Sequence, residues 1–166
     1  GKKIAYLGFD DRYQGYQITN IYVMNADGSA PTRLTWEAGY DGMPAWSPDG
    51  SKLAFVSERA GNYHIWVMNV DGTSPVQLTT QAYSENPVWS PDGSQIAFLR
   101  YVVGIRTELL LIPPTGGTER KVTELSLETS FVRLTWSPDG QYLAYSDRFG
   151  DMKSLGIVLF SLGTGE

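Results

Sequence analysis

Apolar positions in this chain fall in short runs rich in β-branched and aromatic residues, each closed by a turn containing Gly, and the runs recur. Ile21-Tyr22-Val23-Met24-Asn25-Ala26-Asp27-Gly28-Ser29 returns 44 residues later as Ile65-Trp66-Val67-Met68-Asn69-Val70-Asp71-Gly72-Thr73. Looser copies occupy 109–113 and 157–161, again followed by Gly-containing turns. A short run ending in Thr follows the turn, at 33–35, 76–79 and 121–123. Assembled from the middle of the chain, one unit predicts strand A at 44–47, strand B at 53–57, strand C at 64–69 and strand D at 76–79. Hairpins join them.

The turn between strands A and B is written three times. It stands as Trp46, Ser47, Pro48, Asp49, Gly50, then as Trp89, Ser90, Pro91, Asp92, Gly93, and again as Trp136, Ser137, Pro138, Asp139, Gly140. Intervals of 43 and 47 residues lie in the range of stacked or radially arranged repeats. Pro presets φ, Asp caps its own backbone and Gly takes positive φ, so each copy predicts a tight turn. The Trp just upstream is expected to fill the gap between neighbouring sheets.

Four short antiparallel strands per repeat make a propeller blade. The expected fold is therefore all-β: a β-propeller of four-stranded antiparallel blades, about four of them present, in a single segment over 1–166. The blades fall at about 1–35, 44–79, 87–123 and 134–162, the first without strand A and the last without strand D. Gly1 aligns with Gly50, the last residue of the repeated turn, which reads as a segment of a longer protein. Open end blades would leave sheet faces and edges uncovered. Further blades, or a second chain forming a homodimer through the incomplete terminal blades, are expected to complete the ring.

Composition narrows the partners. With 42% apolar, 19% charged and 13% aromatic residues the chain is globular, and 18 Gly with 9 Pro suit many strands and tight turns. A formal charge of −5 with no basic stripe argues against nucleic acid or an anionic membrane surface. No apolar run is long enough for a membrane-spanning helix, so no membrane insertion is expected. The absence of cysteine removes disulfides and thiolate metal sites.

Candidate chemistry is sparse. The only histidine, His64, stands where the preceding repeat has Asn20, and reads as a polar residue at a strand edge. One histidine cannot furnish a multi-imidazole metal site, and no Gly-x-Ser-x-Gly elbow is present. The turns at Asp27 and Asp71 resemble calcium loops but lack the later bidentate carboxylate, and read as hairpins. Asp10 with Asp11, and Asp147 with Asp151, read as solvated pairs. No catalytic, cofactor-binding or metal-ligating residue is expected.

Antiparallel order puts the A–B and C–D turns on one rim and the B–C and D–A loops on the other. The second rim varies in length and content, and carries six of the ten tyrosines together with five arginines. Its candidate binding residues are Arg12, Tyr13, Tyr16, Tyr40, Arg59, Tyr63, Tyr83, Arg100, Tyr101, Arg106 and Arg148. Tyr and Arg are the side chains most enriched at binding hot spots.

The succession of a Trp-Ser-Pro-Asp-Gly turn, a Leu53-Ala54-Phe55 strand, an Ile65-Trp66-Val67-Met68-Asn69 strand, an Asp-Gly turn and a Leu-Thr strand resembles the TolB-type, WD-repeat-like propeller family. The likeness covers essentially the whole chain. It implies a periplasmic or extracytoplasmic scaffold that recognises a protein or peptide and is not an enzyme. Two alternatives stay open: an accessory propeller of a prolyl-oligopeptidase-like serine peptidase, and a carbohydrate-binding propeller. The third and fourth copies depart from the pattern, with Pro113-Pro114 in place of the Asn-containing turn.

Overall fold

A computed structural model describes residues 2–10, 18–81, 83–102, 106–126, 132–149 and 154–165. The described residues form four sheets of consecutive antiparallel strands. The first sheet is β1 (Lys3–Asp10), β2 (Ile18–Asn25) and β3 (Thr32–Arg33). The second is β4 (Asp41–Trp46), β5 (Lys52–Ser57), β6 (His64–Asn69) and β7 (Val76–Gln77). The third is β8 (Ser84–Trp89), β9 (Ile96–Tyr101), β10 (Thr107–Ile112) and β11 (Arg120–Leu125). The last is β12 (Leu134–Trp136), β13 (Tyr142–Phe149) and β14 (Ser154–Ser161). The fold class is the one expected: strands B, C and D, then two sets of A to D, then A, B and C.

The repeated turn folds through its own side chains. Ser47, Ser90 and Ser137 donate from Oγ to Asp49, Asp92 and Asp139 at 2.6, 2.6 and 2.5 Å. The same carboxylates accept the backbone N–H two residues on, each at 3.0 Å. Gly50, Gly93 and Gly140 have φ of 71°, 73° and 72°, where an L side chain is strained. Asp27 and Asp71 likewise accept the N–H of Ser29 and Thr73, at 2.9 and 3.0 Å, which makes them hairpin turns.

Strands A and D differ from their sequence spans. β4 and β8 begin three residues before Pro44 and Pro87, because each carries a bulge that accommodates the proline. Register passes from Gly42 to Ala45 and from Glu85 to Val88, with Met43 and Asn86 at φ of 51° and 54°. β3 and β7 stop after two residues, where a side chain takes over from the ladder. Thr35 and Thr79 accept the N–H of Ile21 and Ile65 on Oγ1 at 2.9 and 3.0 Å.

The core lies between sheets. Leu53 and Phe55 of β5 pack with Ile21, Val23 and Leu34 of the first sheet. Ala54 and Val56, alternating with them, pack with Ile96 and Phe98 of the third. Ala97, Leu99, Leu109 and Leu111 then meet Leu143 and Tyr145 of the last. Inner strands are buried on both faces, so their sequences read as continuous apolar runs. Each such Leu or Phe contributes about 1.5–3 kcal/mol by burial. Trp46, Trp89 and Trp136 are half-buried at these seams.

Candidate recognition rim

The connections that enter strands A and C, and those that leave strand B, meet on one rim. Tyr40 precedes β4, Tyr63 precedes β6, Tyr83 precedes β8 and Tyr101 ends β9. The Tyr40 and Tyr63 rings lie 5.3 Å apart, tilted by 46°. Tyr83 and Tyr101 meet edge to face at 6.4 Å. One backbone bond links the two pairs, Ser84 N–H donating to the Tyr63 carbonyl, and another lies within the second, Tyr101 N–H donating to the Tyr83 carbonyl, both at 3.0 Å. Four tyrosines that sequence places in separate loops thus form one stripe across two blades. Tyr83 is 44% exposed and Tyr101 36%.

Carboxylates border the stripe. Glu58 N–H donates to the Tyr40 carbonyl at 2.9 Å, while Glu58 Oε2 accepts the Tyr40 N–H at 2.9 Å. Burial pushes the Tyr40 and Tyr63 phenols above their ordinary value, and the charges of Glu85 and Glu58 add to both shifts. Both rings stay neutral at physiological pH, beside fixed negative charge. Tyr83 holds φ at 61°, a conformation rare for an aromatic residue, and such strain concentrates at functional positions.

Two arginines expected at the rim are not surface contacts. Arg59 lies over the Phe55 and Trp66 rings at 5.3 and 5.0 Å and pairs with Asp41 at 3.3 Å. Arg100 is 3% exposed, lies 5.3 Å from the Phe98 ring and makes two bonds of 2.6 and 2.7 Å to Glu119. Both cap the Phe that faces the preceding blade, and their carboxylates lie 18 and 19 residues away in sequence, where no local pattern announces them. Arg106 is exposed, and its charge helps lower the pKa of Glu124, after the larger effects of Lys121. Arg148 is exposed at the end of β13. Arg12, Tyr13 and Tyr16 lie outside the described residues.

Sequence reasoning missed Asp41, Glu58, Glu85 and Glu119; only the adjacency of Tyr40 and Asp41 signals any of them. Buried polar atoms without a hydrogen-bond partner also gather here. Among the described residues they are Thr19 Oγ1, Asn20 Nδ2, Asp41 Oδ2, His64 Nδ1, Trp66 Nε1 and Thr107 Oγ1. All but Trp66 stand at the rim end of a strand. His64 is 5% exposed at the start of β6, and burial lowers its pKa. No group of three or more His, Asp or Glu among the described residues is placed to hold a metal.

The opposite rim carries clefts between successive blades. One of about 520 Å³ lies among Asp49, Lys52, Val76, Trp89, Asp92 and Pro114, and one of about 460 Å³ between Pro91, Arg120, Trp136 and Leu162. Much of their lining is the turn itself, whose polar groups bond one another.

Sheets in this order, with β8 against β4 and β12 against β8, define a β-propeller segment. The chain belongs to the TolB beta propeller domain family, which matches residues 1–163. It is 33% identical over 85 residues to an uncharacterised protein of Agrobacterium fabrum, covering 51% of this chain and 27% of that protein. TolB from Acinetobacter baumannii superposes with a TM-score of 0.84 at 20% identity, over 99% of this chain and 40% of that chain. Acylaminoacyl peptidase of Pyrococcus horikoshii superposes with a TM-score of 0.67 at 18% identity, over 96% of this chain and 29% of that chain. The chain thus spans well under half the length of each. No helix among the described residues is long and apolar enough to cross a membrane.

Proposed function

We propose that this propeller segment is a non-catalytic scaffold that recognises a protein or peptide through its tyrosine rim, in an extracytoplasmic compartment. The observation that carries the reading is the stripe of Tyr40, Tyr63, Tyr83 and Tyr101, which offers rigid amphipathic rings across two blades. Likeness to the peptidase at 18% identity is one of fold, so the accessory-propeller alternative gains no residue from it. Self-association belongs to the same proposal: Leu155, Ile157 and Leu159 line one face of β14 at 67, 80 and 60% exposure. Light scattering over a concentration series tests that part.

For the rim, peptides are selected from an unbiased display library on the wild-type chain and re-tested on a Tyr83→Ala, Tyr101→Ala double variant. Selected peptides are expected to lose binding to the variant. Equal binding to a correctly folded variant, or no selectable peptide, overturns the reading.

A further inference from the structure

We infer that the tyrosine rim takes an extended basic segment, one that lays Lys or Arg side chains across the rings beside Glu58 and Glu85. The inference rests on the recognition reading and adds the chemistry of the partner. Ring geometry is the first ground. Tyr83 and Tyr101 meet edge to face and stay substantially exposed, so ring faces with their negative quadrupole remain open to solvent. A cation over such a face is attracted by the ring quadrupole, and more strongly as water is excluded.

Charge supplies the second ground. Glu58 is bonded to Tyr40, and the field of Glu85 reaches both Tyr40 and Tyr63. Of the rim arginines of these blades, Arg59 is neutralised by Asp41 and Arg100 by Glu119, and the exposed Arg106 has Glu124 within its field. What remains is the exposed pair Tyr83 and Tyr101 next to the half-buried Tyr40 and Tyr63 with their Glu58 and Glu85, on a chain of net charge −5. An acidic segment would meet those carboxylates directly and be repelled by them. Repetition of Tyr pairs on adjacent blades suits an extended chain, which presents every second side chain to one surface.

The test uses three fluorescein-labelled peptides of equal length, alternating Ser with Arg, with Glu or with Gln, read by fluorescence anisotropy and mapped by amide chemical shifts. The Arg peptide is expected to bind, to shift the amides of Tyr63, Ser84 and Tyr101, and to weaken about tenfold when salt is raised several-fold. Glu58→Gln with Glu85→Gln, which retains an acceptor for Tyr40 N–H, is expected to weaken it about tenfold with the unfolding midpoint unchanged. Tyr101→Ala should weaken all binding at the stripe. If the Glu or Gln peptide binds the same amides as tightly as the Arg peptide, the charge assignment is overturned and the rim reading stands. If library-selected peptides bind the rim but the Arg peptide does not, the inference again falls alone. If chitohexaose, and none of the peptides, shifts these amides, both fall in favour of a sugar site.

Discussion

The indole N–H of Trp89 donates to the carbonyl of Ala45 at 3.1 Å, tying the inner strand of one blade to that of the blade before it. Trp136 repeats the bond on Val88 at 3.2 Å. Each half-buried ring packs against the seam with its apolar body and satisfies its polar edge on a neighbouring sheet. The Trp of the repeated turn is therefore a seam residue that sets how blades register, beyond the filling role its sequence suggests.

Trp89→Ala removes both functions. The expected loss is about 2–4 kcal/mol, below the range for a fully buried Trp because the ring is only half-buried. Trp89→Phe keeps most of the packing and loses the bond, for about 1 kcal/mol. Urea unfolding midpoints of the three proteins decide it; equal midpoints for wild type and Trp89→Ala would refute the seam role.

Arg100 and Glu119 have unequal exposure, 3% and 19% for the side chains, and that asymmetry sets the second prediction. Glu119→Ala strands a buried guanidinium and is expected to cost about 3–5 kcal/mol. Arg100→Met leaves a carboxylate that can reach water, so its cost is smaller, about 1–3 kcal/mol. Thermal unfolding of both variants checks the order; losses under about 1 kcal/mol for both would show the pair to be solvated.

The blade repeat was readable because its signals are local. Pro48, Asp49 and Gly50 fix a turn through bonds spanning two or three residues, and Leu53 to Ser57 alternate between two buried faces within one strand. The bulges were less readable, since Pro44 and Pro87 mark a place where a ladder must break without stating that pairing resumes upstream. Arg59 and Arg100 were misread for a further reason. A polar residue leaving strand B looks solvent-facing until Asp41, opposite Ser57 on the paired strand, or Glu119, just ahead of β11, closes on it. The tyrosines were found individually, but their joining into a stripe depends on Ser84 bonding Tyr63 across a loop.

Acid should weaken the turns specifically. Ser47 and Ser90 hydroxyls, then the Ser51 and Ser94 backbone N–H groups, hold Asp49 and Asp92 down from 3.8 to about 2. A folded pKa below the unfolded one means the contribution is fully present above about pH 4 and is lost as pH falls through about 2. Between those values the unfolded chain binds more protons. Asp49→Asn with Asp92→Asn is expected to flatten this part of the stability profile, measured as urea midpoint against pH. An unchanged acid limb in the variant would count against the assignment.

His64 gives a second, separable pH dependence, because it is the only histidine. Burial pushes its pKa below the usual 6.5; a hydrogen bond to the Gln81 backbone opposes the shift, and the charge of Arg100 adds to it. Unfolding frees the ring to bind a proton near 6.5, while the folded ring resists. Stability from this group is therefore complete above about pH 6.5 and declines as pH falls toward the folded value. The urea midpoint should fall as pH drops below about 6.5, a step that starts above the range where the aspartates titrate. His64→Asn, which installs the residue found at the same place in the preceding blade, should remove that step. The imidazole Hε1 resonance of the wild type should titrate below 6.5; a midpoint at or above 6.5 would show that the ring reaches water and would refute its burial.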